Sequence, residues 1–239
     1  MACQLKKCTV RYDFSQSAKD NPLSDAAPVP TRREARREER RQIILEVAER
    51  TFRELGYAAT TMSAIAAELG GSKGTLWSYF ASKEALFDAV LDRATTAFRE
   101  ELALDLDPAA PIADNVRRFC ERFVKKLTEP VSISLHRLII GEAGRFPEMG
   151  RIFYDRAPRR THLLIVTYLQ RAMDDGTLRR DDPLCAAQYL TALCAGRSHQ
   201  QLLSVVIDAV SSETVREEAA MAAAMFLRAY APDAPVADA

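Results

Sequence analysis

The sequence carries no net charge: lysine and arginine together number 33, and aspartate and glutamate likewise number 33. Bulk electrostatics therefore favour no class of partner, and any nucleic-acid signal has to be local. Paired cysteines are missing as well. The five present, Cys3, Cys8, Cys120, Cys185 and Cys194, form an odd set without a CxxC pair, which excludes a disulfide framework and a zinc knuckle and predicts reduced thiols. No uncharged apolar stretch reaches the length of about eighteen residues that a membrane span needs. The start MACQLKKCTVRYDFSQSAKD lacks a signal-peptide core, so the expected location is cytoplasmic. Catalytic motifs are absent too. His136, His162 and His199 fall in no HExxH arrangement, there is no GxSxG elbow, and GGSKGT lacks the ending of a phosphate loop. Neither an enzyme nor a cofactor or metal site is expected.

What is present is helical punctuation. Residues 1–30 are polar and proline-broken, ending in NPLSDAAPVP, and are expected to form a disordered leader. TRREARREERRQ follows from Thr31, with Arg32, Arg33, Arg36, Arg37, Arg40 and Arg41 interleaved with glutamates. It fits a solvated helix start laced with i,i+4 pairs, the sharper alternative being an arginine arm along phosphates.

Ile44, Val47, Ala48, Thr51, Phe52 and Leu55 share one helical face, and Gly56 supplies a stop, which predicts a helix over about 38–55. Thr61 caps a second short helix carrying Met62, Ile65, Ala66 and Leu69, and Gly70 closes it. Ser72 stands as N-cap of a third. Two short helices across a tight glycine turn make a helix-turn-helix. In the third helix Leu76 and Phe80 point inward, Gly74, Thr75 and Ser78 lie opposite, and Trp77 and Tyr79 flank them. Small residues let a helix sink into a DNA groove, where Thr75 can reach a base edge while Lys73, Trp77 and Tyr79 hold phosphates. Ser82 opens a fourth helix whose Lys83 and free N–H groups offer another phosphate site. Packing of Trp77 and Tyr79 on a neighbouring helix would account for the aromatic pair alone.

The stretch ILEVAERTFRELGYAATTMSAIAAELGGSKGTLWSYFASKEALFDAVL closely resembles the DNA-binding domain of the TetR family of bacterial transcriptional regulators. Its usual pattern is AxxLFxxxGYxxTTxxxIAxxAGVSKGTLYxYFxSKExL. Gly71 departs from the usual valine, and Trp77 from the commoner tyrosine. The resemblance implies that Thr61, Lys73, Thr75, Trp77, Tyr79 and Lys83 touch double-stranded operator DNA, and Ser72, Gly74 and Ser78, from the turn and the outward face, complete the expected DNA-binding set.

Beyond DLDPAAP the chain reads as further helices: stripes over Ile112–Leu127 and Val131–Ala143, a long helix Glu148–Met173 kinked at Pro158, and helices over 183–206 and 213–230. Asp182 and Pro183 form a helix start. SLHRLIIGEAGRFPEMGRIFYDRAP resembles the AefR-like carboxy-terminal subgroup of the same family. The fold class expected is all-α, an amino-terminal three-helix helix-turn-helix domain (31–93) followed by a larger helical ligand-binding and dimerisation domain (94–231), with a tail over 232–239. The family implies a pocket for a small-molecule effector, with Phe119, Phe123, His136, Leu138, Phe153, Leu164 and Tyr168 as candidate liners and Arg137, His162 and His199 as further polar anchors. It also implies a homodimer through the last two helices, whose alanine-rich text permits close approach. The same alanines fit a plain core, and a partner-binding or architectural helical protein is the rival to an operator-specific regulator.

Overall fold

The computed structural model describes residues 31–70 and 73–232. The chain divides into two compact units at Glu38/Glu39. All the described secondary structure is helical: α1 Arg32–Ala59, α2 Met62–Glu68, α3 Lys73–Tyr79, α4 Lys83–Asp105, α5 Ile112–Thr128, α6 Pro130–Glu142, α7 Pro147–Arg156, α8 Pro158–Asp174, α9 Pro183–Cys194, α10 Ser198–Leu203 and α11 Ser212–Ala229. No helix among the described residues is long and apolar enough to cross a membrane. The expected leader, Gly71, Ser72 and the last seven residues lie outside the described residues.

α1 starts earlier than periodicity suggests, because Thr31 and Glu34 form a reciprocal cap. The Thr31 amide and hydroxyl donate to the Glu34 carboxylate at 2.8 and 2.9 Å, and the Glu34 amide donates back to the hydroxyl at 3.3 Å. This T-x-x-E signal sits ahead of the apolar face, so the first arginines, exposed at 32, 33, 36 and 37, belong to a helix.

Two cores organise the second unit. The first gathers Ile44, Leu45, Phe52, Tyr57, Ile65, Leu76, Phe80, Phe87 and Leu91 from α1 to α4, together with Ile139 of α6 and Met149 of α7. Tyr57 is fully buried at its centre, its ring 5.8 Å from Phe52, 5.1 Å from Phe87 and 5.5 Å from Phe146. The second joins α4, α5, α8, α9 and α11 through Leu102, Phe119, Ile165, Leu169, Leu190 and Phe226.

Two expected helices are broken. Ala157, at φ −110° and ψ −81°, separates α7 from α8, so the expected kink before Pro158 is a full break. The helix expected over 183–206 stops at Cys194, and α10 restarts at Ser198 because the buried Glu218 accepts from the Ser198 hydroxyl at 2.6 Å and from its amide at 3.3 Å. Asp182 caps α9 as expected, accepting from the Leu184 amide at 2.8 Å.

Gly56 bends α1 at φ 80° and ψ 169°, a backbone region essentially reserved for glycine. A Cβ there would stand 2.6 Å from Glu142 Oε1. Gly56→Ala is therefore expected to destabilise by about 1–3 kcal/mol from backbone strain alone, measured as a lower urea midpoint. An unchanged midpoint would show that this bend carries no strain.

Candidate DNA-reading face and effector cavity

α2 and α3 are positioned by the first core. Thr61 is the N-cap of α2, its side chain accepting from the Ala64 amide at 3.1 Å, and it remains exposed. Beneath it the buried Thr60 hydroxyl donates to the Gly56 carbonyl at 2.7 Å, tying the α1 bend to the start of α2. On α3 Leu76 is buried, as is Phe80 just past its end, while Gly74, Thr75, Trp77 and Ser78 are exposed and Tyr79 is half-buried. Ser78 donates to the Thr75 carbonyl at 2.7 Å, which folds its hydroxyl back on the helix. Trp77, the single tryptophan of the chain, is 47% exposed. Four small or flat side chains thus share one outward face. Ser72 lies outside the described residues, as does the side chain of Lys73.

Lys83 is tied at the foot of α4. Its ammonium donates to the Tyr57 carbonyl at 2.9 Å and lies 4.2 Å from the Tyr57 ring centroid and 5.7 Å from that of Phe146. Burial of two aromatic rings at the foot of α4 builds a box that draws the cation inward.

The same Tyr57 segment is held from its other side. Glu142, the last residue of α6, accepts from the Tyr57 amide at 3.1 Å and from the Ala58 amide at 2.7 Å. A second link joins α4 to the α7–α8 break, where Arg156 makes a two-pronged pair with Asp88 and reaches Asp92 at 3.0 Å, and Arg160 reaches Asp92 at 2.7 Å.

The second core is flanked by a cavity of about 360 Å³ bounded by α4, α5, α6, α7, α8 and α9. Phe98, Phe123, Phe153, Leu127, Val131 and Leu135 supply its apolar wall, and His136, His162, Gln188, Thr161 and Thr191 its polar points. Of the expected liners, Phe123, His136 and Phe153 are here, and so is His162. The other four are elsewhere, each for a packing reason. Phe119 is fully buried behind Phe123, ring on ring at 5.5 Å. Leu138 turns to the first core beside Gly56. Leu164 packs against the second core. Tyr168 is tied by its hydroxyl, which accepts from the Asn115 amide at 2.6 Å. Arg137 is spent on the carbonyl end of α10, bonding Leu202 and Leu203. Gln188 and Thr191 are lining residues that the sequence reading does not name, because their helix fits a dimer interface equally well, and Phe98 is likewise unnamed there.

His136 Nδ1 and His199 Nε2 are 2.9 Å apart, with the rings edge to face. Burial, and secondarily His199, push His136 down to about 4, and burial lowers His162 and His199 as well. The cavity histidines are neutral near pH 7.

Among the described residues the secondary structure is all helical, and α2 followed by the outward-facing α3 is the arrangement of a helix-turn-helix DNA-binding domain. Comparison with known proteins places it further. Residues 44–90 match the family model of bacterial regulatory proteins, tetR family, and residues 114–232 match that of the AefR-like transcriptional repressor C-terminal domain. The flavonoid-responsive regulator FrrA is similar in structure at 31% identity and a TM-score of 0.70, over 82% of this chain and 100% of that one. A TetR-family regulator from Mesorhizobium loti matches at 25% identity and a TM-score of 0.72, over 84% of this chain and 100% of that one. The uncharacterized HTH-type transcriptional regulator YhgD of Bacillus subtilis is 26% identical over 138 residues, 58% of this chain and 69% of that one. The chain belongs to the TetR family of DNA-binding transcriptional regulators.

The histidine shifts set a pH dependence. All three rings lie below their ordinary value of 6.5, so the unfolded chain binds protons first as the pH falls. Stability is expected to be level above about pH 7 and to fall between 6.5 and 4, by about 3 kcal/mol at the lower end for His136 alone. Urea midpoints from pH 7 to 4.5 check this, and His136→Leu should make the decline shallower. An equal decline in that variant would remove His136 as its cause.

Proposed function

We propose that this regulator is a homodimeric repressor that binds a near-palindromic operator through α3 and is released from it by a small apolar effector in the α4–α9 cavity. The observation that carries this reading is the span of α6. Its first half contributes Val131, Ser132, Leu135 and His136 to the cavity, and its last residue, Glu142, holds the two amides that lead from the α1 bend into α2. An occupant that moves α6 moves the support of the reading helices. That FrrA is a flavonoid-responsive regulator supports a small-molecule response in this chain too.

In this reading Thr75, Gly74 and Ser78 meet the floor of the major groove. Lys73, Trp77, Tyr79, Thr61 and the first N–H groups of α4 meet phosphates, and Ser72 and Lys83 are proposed as further contacts. The exposed arginines of α1 add a salt-dependent contribution.

The dimer would form on α9 and α11. Tyr189, Leu193, Met221 and Met225 are exposed there along a groove floored by Ala192, Ala222 and Phe226. Large apolar side chains over a floor of small ones suit a helix pair packing on its symmetry mate.

Two experiments test the proposal. A footprint on the DNA upstream of the protein's own gene should show a protected near-palindrome with half-sites about one helical turn, or a multiple of it, apart. Thr75→Ala should cost about 1–3 kcal/mol at one base pair and relax the preference there, read by titrating operator variants against Trp77 fluorescence. Affinity lost evenly over all sequences would remove Thr75 from base reading. The variant Met221→Lys/Met225→Lys should sediment as a monomer and lose operator affinity by at least about tenfold. A dimer that survives it would place the interface elsewhere.

A further inference from the structure

The polar points of the cavity have a defined hydrogen-bonding sense. Thr191 Oγ1 lies 3.0 Å from His162 Nε2 and also 3.0 and 3.2 Å from the carbonyls of Gln188 and Ala187. The hydroxyl has one proton and the carbonyls can only accept. If it donates to a carbonyl and accepts from His162 Nε2–H, both kinds of contact are bonds. If it donated to His162 instead, the carbonyl oxygens would face it across 3.0 and 3.2 Å with no proton between. The first arrangement makes His162 the Nε2–H tautomer and leaves its Nδ1 as a lone-pair acceptor on a side chain that lines the cavity.

The charge environment is equally one-sided. No carboxylate is among the described residues lining the cavity, so a buried cation would find no counter-ion there. Lys126, the one ammonium at its edge, is already paired with Glu129 at 2.8 Å and rests 5.7 Å from the Phe98 ring centroid. An anion would therefore meet a neutral acceptor and a lysine it has to share with Glu129. Phe98, Phe123 and Phe153 complete a wall suited to flat rings.

Resting on the cavity being the effector site, we infer that the effector is a neutral aromatic molecule with a hydroxyl group, of the phenol class, which donates that hydroxyl to His162 Nδ1. Lipophilic cations and aromatic carboxylates of the same size are rejected.

Calorimetric titration of the full-length protein with four matched biphenyls tests this: 4-phenylphenol, 4-methoxybiphenyl, 4-phenylbenzoate and 4-phenylbenzylamine. The phenol should bind about tenfold more tightly than the methyl ether, which fills the same space without a donor, and the two ions more weakly than either. His162→Leu should bring the phenol-to-ether ratio to about one while leaving the ether's affinity within about threefold, and His162→Gln, which retains an acceptor, should keep part of the preference. Thermal melts confirm that both variants are folded. A ratio near one in the unaltered protein, or one that survives His162→Leu, overturns the inference and leaves the cavity reading intact. A benzoate that binds more tightly than the phenol with uptake of a proton would make the histidine a cationic anchor and also overturn it. Absence of saturable binding by every member, or neutral ligands whose affinity Phe153→Ala leaves unchanged, would overturn the cavity reading itself.

Discussion

The contact on which the rest of the structure depends is the carboxylate of Glu142 against the amides of Tyr57 and Ala58, residues more than eighty positions earlier. The chain must leave α1 and enter α2 within a few residues. Gly56 turns it through a conformation that strips local partners from the next N–H groups. A charged acceptor at the carbonyl end of α6 supplies them, and hydrogen bonds to charged groups are the stronger kind. The position of Tyr57 follows from this, and the box that holds Lys83 follows from Tyr57. The first core accordingly draws Ile139 and Met149 from the later helices.

How much of this is legible in the sequence depends on how local each cause is. Leu76 and Phe80 inside, with Thr75 and Ser78 outside, follow from helical period and are as expected. The caps at Thr61, Ser82 and Asp182 are bonds spanning two or three residues and are equally readable. Glu142 carries no such mark, since its partners lie far along the chain and nothing near GEAG distinguishes it from a surface glutamate. The cavity is half readable for the same reason. Apolar stripes identify Phe123 and Phe153 as inward, but the same logic names Phe119, which is one layer too deep, and Tyr168, whose hydroxyl Asn115 claims. Which inward residue meets a void depends on how six helices converge. The break between α9 and α10 needs Glu218, twenty residues further on.

Lys83 illustrates a different limit. A lysine in the first turn of a helix after an N-cap serine reads as a phosphate contact, because free amides and a positive charge coincide there. In the structure that ammonium also meets a carbonyl and two rings at the joint between the α1 bend and α4, a second use of the same charge. A family motif preserves residue type without specifying which of two physical uses the type serves.

The same geometry bounds the proposed release. Helices α4 and α6 each have one end in the first core and a stretch along the cavity: α4 through Phe87 and Leu91, then Ala94 and Phe98; α6 through Ile139, then Leu135 and Val131. An effector can shift such a pair of rods only by its differential affinity for the two arrangements. Polar links between them and their neighbours set the cost. Each charge-assisted bond from Glu142 contributes about 1.5–3 kcal/mol, and allosteric couplings typically lie at about 1–3 kcal/mol. Losing one of its two bonds falls within that range. Losing the paired contacts of Arg156 to Asp88 and Asp92 as well would exceed what a single small ligand supplies. On the proposed mechanism α4 therefore stays clamped to α7 and α8, and the motion is a shift of α6 that loosens Tyr57 and Ala58 while the reading helices keep their own core.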